Sequence, residues 1–189
     1  MRSAMESQIN FCYQSISDIQ ATIRAIDAKI GFLMVIIFIP IAAIKEITSI
    51  YASIANNSQC LMILMWTVAL AWAATIIVLF RALWSIKNPS NGVTGNNATG
   101  VFFNSSHYKM SAIDCVFNFP IKSSIDLNTA IANIPKDENS LLKELVFEKM
   151  KLEYIRDIKI RRCSTSSMLI LFWITIGTGI YTYSLLSAN

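Results

Sequence analysis

Three long apolar stretches constrain this chain more than any other feature of its sequence. They run from Ile30 to Tyr51, from Cys60 to Phe80 and from Ser164 to Leu186. A helix needs about 20 apolar residues to cross a hydrocarbon layer about 30 Å thick. The second and third stretches contain no charged residue, and only Lys45 and Glu46 interrupt the first. We therefore expect an all-α membrane protein with transmembrane helices at 30–51, 60–80 and 164–186.

The pattern leaves open whether the first span ends at Ile44 or near Tyr51. The longer span requires Lys45 to extend its side chain to the far interface. It also requires a tilt or kink at Pro40, which a membrane helix tolerates. Charged residues interrupt the first thirty positions and no cleavage site follows a short apolar run, so we expect no signal peptide and a retained first span.

The composition excludes most other classes of protein. Hydrophobic residues make up 54% of the chain and charged residues 15%, whereas soluble domains have about 45–50% and about 25%. The four cysteines lie far apart in the sequence, and His107 is the only histidine. This pattern fits neither a zinc site nor a catalytic triad. We expect no enzymatic activity, catalytic residue, metal or cofactor.

The distribution of Lys and Arg predicts the orientation of the chain in a membrane. Basic residues precede the first span and follow the second, and they are densest at positions 156–162. The connection at 49–59 and the tail beyond the third span contain none, although Lys45 lies just ahead of the former. The positive-inside rule therefore predicts a cytoplasmic N-terminus and middle region, and a C-terminus outside.

Two amphipathic helices are predicted beside the membrane. The first, at 1–29, has apolar residues at alternating spacings of three and four, which is typical of a helix–helix seam; they are Ile9, Cys12, Ile16, Ile19, Ile23, Ile26 and Ile30. The second, at 139–163, has an apolar side and starts at Asn139 or Ser140, either of which can cap it. Lys149/Glu153 and Asp157/Arg161 are opposite-charge pairs at i,i+4. Residues 81–138 form a small cytoplasmic module that is too short to fold alone.

The order of these elements resembles a known family. Ile26-Asp27-Ala28-Lys29 lies at the mouth of the first span, and Val101-Phe-Phe-Asn and Lys109-Met-Ser-Ala-Ile-Asp follow the second. A basic approach from Glu144 to Arg162 then enters the third span. The chain resembles the membrane effectors of Pycsar-type bacterial antiphage systems over most of its length. Ile26, Ile30 and Asn104 depart from the family's pattern.

The resemblance implies a function and a partner. A neighbouring cyclase would make a cyclic pyrimidine mononucleotide, cyclic CMP or cyclic UMP, during phage infection. The effector, expected to act as a homo-oligomer in the lipid bilayer of the bacterial inner (plasma) membrane, would then impair that membrane and cause abortive infection. No nucleic-acid polymer is implied as a partner.

The ligand named by the resemblance sets the candidate site residues. Its single phosphate needs a cation, and an arginine can grip it with two parallel hydrogen bonds; the candidate cations are Arg81, Lys109, Arg156 and Lys159. An aromatic ring can stack on its base; the candidates are Phe103, Tyr108 and Tyr154. Asp27 and Lys29 are the candidate juxtamembrane signalling pair. Near the bilayer Asp27 needs a cationic partner, which Arg156, Lys159 or Arg162 can supply.

Three other interpretations stay open at this point. One is a ligand-independent, holin-like membrane toxin, which needs no cytoplasmic pocket. Another is a structural membrane scaffold, whose expression is harmless under every condition. A membrane enzyme is the third, and the lack of clustered polar residues inside the spans argues against it.

Overall fold

Every element of regular secondary structure among the described residues is a helix. A computed structural model describes residues 2–55, 59–84, 86, 89–94, 101, 123 and 126–187. Its α-helices are α1 (Arg2–Ala42), α2 (Ile44–Ala55), α3 (Gln59–Leu83), α4 (Leu127–Ala132) and α5 (Glu138–Ser187), with a 3-10 helix at Pro89–Gly92. Three of these helices, α1, α3 and α5, each contain a segment long and apolar enough to cross a membrane. The expected all-α class with three such helices is confirmed.

Two of these helices are much longer than a membrane is thick. Helix α1 has 41 residues and α5 has 50, so at 1.5 Å per residue they measure about 60 and about 75 Å. The hydrocarbon layer is about 30 Å thick. The second predicted amphipathic segment and the third apolar stretch therefore form one continuous helix, and the first segment continues into the first apolar stretch as far as Ala42.

The predicted isoleucine seam of α1 is packed along its whole length. Cys12, Ile19 and Ile30 are buried, and the other four members are half-buried. The three-four spacing continues beyond Ile30 to Leu33 and to Ile37, which is fully buried. Because one helical face carries all these residues, the sequence pattern correctly predicted the packed face.

The break in the first apolar stretch lies three residues after Pro40. Ala43 is the single non-helical residue between α1 and α2. Two backbone bonds meet at Ala43, one from its N–H to the Ile39 carbonyl of α1 (3.3 Å) and one from the Ile47 N–H of α2 to the Ala43 carbonyl (3.0 Å). Proline has no N–H to donate and its ring crowds the preceding turn, so a helix bends or breaks close to it. The predicted span at 30–51 is therefore divided: the helix long and apolar enough to cross a membrane ends at Ala42, and α2 is a separate helix that continues past Tyr51 to Ala55.

The start of α5 differs from the prediction. Neither Asn139 nor Ser140 caps the helix; instead the Asp137 carboxylate accepts the Ser140 backbone N–H at 3.0 Å and the Ser140 hydroxyl at 2.6 Å. An acceptor just ahead of the first turn satisfies one of its free N–H groups. Because the carboxylate occupies this place, the helix begins at Glu138. The hydrogen bond from the Ser140 hydroxyl lowers the pKa of the Asp137 carboxyl below its usual value, and the bond from the Ser140 backbone N–H lowers it further.

The chain divides into two compact units, and both α1 and α5 contribute to each. Unit 1 comprises Met1–Ala21 and Lys87–Ile155, and unit 2 comprises Thr22–Ile86 and Arg156–Asn189. The core of unit 2 joins α1, α3 and α5; its buried members are Ile30, Ile37, Leu79, Ala82 and Cys163. Large apolar side chains on the outer faces of the same helices are exposed, as expected where lipid replaces water as the solvent.

Candidate functional site

One end of the core of unit 2 carries an ion pair between two helices. The Lys159 ammonium on α5 contacts the Asp27 carboxylate on α1. The Lys159 side chain is 13% exposed and that of Asp27 is 40% exposed. Lys159 faces α1 because it lies one turn before Cys163, a buried member of the core. Of the three cations that the sequence offered to Asp27, the structure therefore selects Lys159.

One turn further along α5, a second contact reaches the end of α3. The Arg162 guanidinium donates a hydrogen bond to the backbone carbonyl of Arg81. Arg81 lies in the last turn of α3, where carbonyls lack partners within the helix and attract cations. Lys159 and Arg162 thus link α5 to α1 and to α3. We call Asp27, Arg81, Lys159 and Arg162 the basic junction.

The basic junction has an excess of positive charge. It contains three cationic side chains and one carboxylate, and the Arg81 side chain is exposed. Arg156 is close in sequence, but its guanidinium pairs with the neighbouring Asp157 at 2.9 Å. Asp157 therefore pairs with Arg156 and not with Arg161. The predicted Lys149–Glu153 pair forms, at 3.7 Å.

The other candidate residues fall in different places. Lys29 is exposed, and the described partner of Asp27 is Lys159 rather than Lys29. Tyr154 belongs to unit 1, where its ring lies so close to Gly92 that an added Cβ would be 2.8 Å from Cδ2. Phe103, Tyr108 and Lys109 lie outside the described residues.

Unit 1 contains buried charges that sequence reasoning missed. Lys151 is 2% exposed, pairs with Glu148 and lies 5.0 Å from the centroid of the Phe147 ring. Glu144 is also buried and accepts the backbone N–H of Val101 at 3.1 Å. Residues 144, 148 and 151 follow the same three-and-four spacing as the neighbouring Leu141, Leu145 and Leu152, so their charged side chains lie on a packed face of α5. This spacing was the signal from which the sequence could have predicted their burial.

Several polar side chains within the candidate spans donate hydrogen bonds to backbone carbonyls of the chain itself. The Trp72 indole N–H donates to the Ile37 carbonyl at 2.9 Å, joining α3 to α1 just before Pro40. Thr75 and Ser166 are fully buried, and their hydroxyls donate to carbonyls four residues earlier in their own helices. Such bonds satisfy a hydroxyl where water is absent.

Comparisons with protein-family models, curated proteins and solved structures found no match. The sequence and the geometry described above therefore carry the functional argument.

Proposed function

We propose that this protein is an inner-membrane effector of bacterial antiphage defence, activated by a cyclic pyrimidine mononucleotide and causing abortive infection by impairing the membrane. The family resemblance supplies the class of function. The observation that supports it best is the Asp27–Lys159 ion pair, which joins α1 to α5 at a place with surplus positive charge. We propose that α1 up to residue 29, residues 81–138 and α5 up to residue 163 are cytoplasmic.

The basic junction suits an anionic ligand. A cyclic mononucleotide has one phosphate with a single negative charge, the same charge that Asp27 offers to Lys159. The phosphate can therefore compete with Asp27 for Lys159, while the exposed Arg81, or Arg156 once it has left Asp157, provides a planar donor for a second contact. The base of the nucleotide would stack on an aromatic ring.

Replacement of Asp27 by the nucleotide phosphate at Lys159 would allow the ligand to act on the membrane. Helices α1 and α5 both continue from the proposed cytoplasmic segments into the apolar spans. A ligand that binds only when Asp27 and Lys159 are apart shifts the population towards that arrangement. We propose that a homo-oligomer converts this shift into membrane damage, with a neighbouring cyclase as the source of the ligand.

Binding and growth together test the proposal. Purified full-length protein in detergent is titrated with cyclic CMP and cyclic UMP by calorimetry, and growth is followed after induction of a pyrimidine cyclase. We expect one nucleotide to bind and growth to stop only when the cyclase is expressed. If folded protein binds neither nucleotide and is toxic without the cyclase, the holin-like interpretation replaces this one. Harmless expression with no binding would favour the scaffold.

Two variants separate ligand binding from signalling. Asp27→Asn removes the competitor for Lys159 and weakens the link between α1 and α5. This variant should bind nucleotide at least as tightly as wild type and be toxic without the cyclase. Lys159→Gln should lose binding, whereas Lys143→Gln, at an exposed position of α5 in unit 1, should behave like wild type. Wild-type binding by Lys159→Gln would contradict the role given to the junction.

The orientation is tested by labelling single cysteines on a cysteine-free background. A reagent that cannot cross the membrane should modify a cysteine at position 57 or 188 in intact cells, but not one at position 97. Labelling at 97 would place the connecting region outside and remove the cytoplasmic sensing step.

A further inference from the structure

Two contacts between helices align three segments of unit 2 at one level. The Lys159–Asp27 ion pair aligns α5 with α1, and the hydrogen bond from Arg162 to the Arg81 carbonyl aligns α5 with α3. Because Lys159 and Arg162 are separated by three positions, they differ by about 4.5 Å along the axis of α5. The basic junction therefore brings α1, α3 and α5 together within about one helical turn.

The exposed side chains of all three helices change from charged to apolar close to this level. On each helix an exposed cation is followed, in the direction of the apolar stretch, by an exposed large apolar side chain. The cations are Lys29, Arg81 and Arg161, and the apolar side chains are Phe32, Phe80 and Met168. Trp84, which directly follows α3, is 70% exposed. Exposed tryptophan and basic residues at the end of an apolar span are typical of the headgroup layer of a membrane.

Most of the positive charge near this level has no partner within the described part of the chain. The two nearby carboxylates are already used, since Asp27 pairs with Lys159 and Asp157 pairs with Arg156. Four further cations of unit 2 have exposed side chains with no ion pair or hydrogen bond to any described residue; they are Arg24, Lys29, Arg81 and Arg161. We call these four residues the cationic band.

The sign of the charge and the position of the cationic band select its binding partner. Phospholipid phosphates are the anions that lie in the headgroup layer, and Lys or Arg residues near that layer are attracted to anionic lipids. A zwitterionic headgroup also carries an ammonium group, which the exposed cations repel. An anionic phospholipid therefore complements the band better than a zwitterionic one.

We propose that the cationic band binds the headgroups of anionic phospholipids. The guanidinium groups of Arg81 and Arg161 can each hold a lipid phosphate through two parallel hydrogen bonds, and Lys29 can hold one as a point charge. The acyl chains then lie along the neighbouring exposed apolar side chains. The inference goes beyond the proposed function and does not depend on any nucleotide.

The test counts the lipids bound to full-length protein by native mass spectrometry. Protein in a neutral detergent is titrated with phosphatidylglycerol or with phosphatidylcholine of the same acyl chains. One Lys or Arg near an anionic lipid raises the affinity about fivefold, which corresponds to about 1 kcal/mol. We therefore expect phosphatidylglycerol to bind at least about fivefold more tightly than phosphatidylcholine.

A double variant, Lys29→Gln with Arg161→Gln, removes two charges of the band and keeps Arg81, Arg156 and Lys159 for the proposed nucleotide site. It should bind phosphatidylglycerol at least about fivefold more weakly than wild type and bind phosphatidylcholine equally well. The matched control, Lys136→Gln with Lys143→Gln, removes two exposed charges from unit 1 and should keep the wild-type preference.

Three results would overturn the inference. The first is equal affinity of wild type for the two lipids. The second is an equal loss of preference in both double variants, since total charge and not the band would then explain the binding. The third is displacement of the bound lipid by an equal concentration of glycerol 3-phosphate, which would indicate a site for small anions instead of a lipid surface.

Discussion

The Asp27–Lys159 pair allows a quantitative test of how α1 and α5 are held together. The test is a double-mutant cycle of Asp27→Asn, Lys159→Met and the double variant, which isolates the coupling between the two side chains. Exposed ion pairs are worth about 0.2–1 kcal/mol, and breaking a buried pair costs about 3–5 kcal/mol. With Lys159 13% exposed and Asp27 40% exposed, the pair lies between these limits. We expect a coupling free energy of about 1–2 kcal/mol.

The assay is reversible unfolding in mixed micelles with a rising mole fraction of dodecyl sulfate, followed by circular dichroism. Arg156→Met and Asp157→Asn form the control cycle, because this pair joins adjacent residues on one helix and is more exposed, at 31% and 60%. Its coupling should stay below about 0.5 kcal/mol. If the coupling of Asp27 and Lys159 is no larger than that of the control pair, the ion pair does not hold α1 to α5. The proposal that the nucleotide acts by replacing Asp27 at Lys159 is then wrong as well.

Three further outcomes are expected. Ile16→Asp with Ile23→Asp places two charges on the packed seam and should cost several kcal/mol; wild-type size and stability in detergent would show that the seam is not an interface. Trp72→Phe removes the hydrogen bond to the Ile37 carbonyl and should lower stability by about 0.5–1.5 kcal/mol in the same unfolding assay, whereas an unchanged midpoint would mean that the bond contributes nothing. The Ser140 hydrogen bonds lower the pKa of Asp137 below its usual value of 3.8. The stabilisation of the α5 start by Asp137 is therefore present above pH 3.8 and is lost as the pH falls through the lower folded-state pKa. Protection of the amide of Ser140 from hydrogen exchange should fall over that acidic range, and Asp137→Asn should remove this dependence; a pH-independent wild type would contradict the assignment.

Much of the architecture follows from local patterns in the sequence. The length of the apolar stretches predicts three helices able to span a membrane, because backbone groups in hydrocarbon must bond within the segment. The spacing from Ile9 to Ile30 predicts the packed face of α1, because residues three and four apart share one side of a helix. Both inferences need only neighbours in the chain, so they hold without knowledge of the other helices.

Only the tertiary structure decided which distant residues meet. The sequence offered Asp27 three possible cations, and the choice of Lys159 depends on the axial position and rotation of α5 against α1. The same dependence explains why the burial of Lys151 escaped prediction. Helical periodicity specifies the direction of a side chain around its own axis. What that side chain faces is determined by how several helices pack, since the packed core of Ile30, Leu79 and Cys163 sets their register.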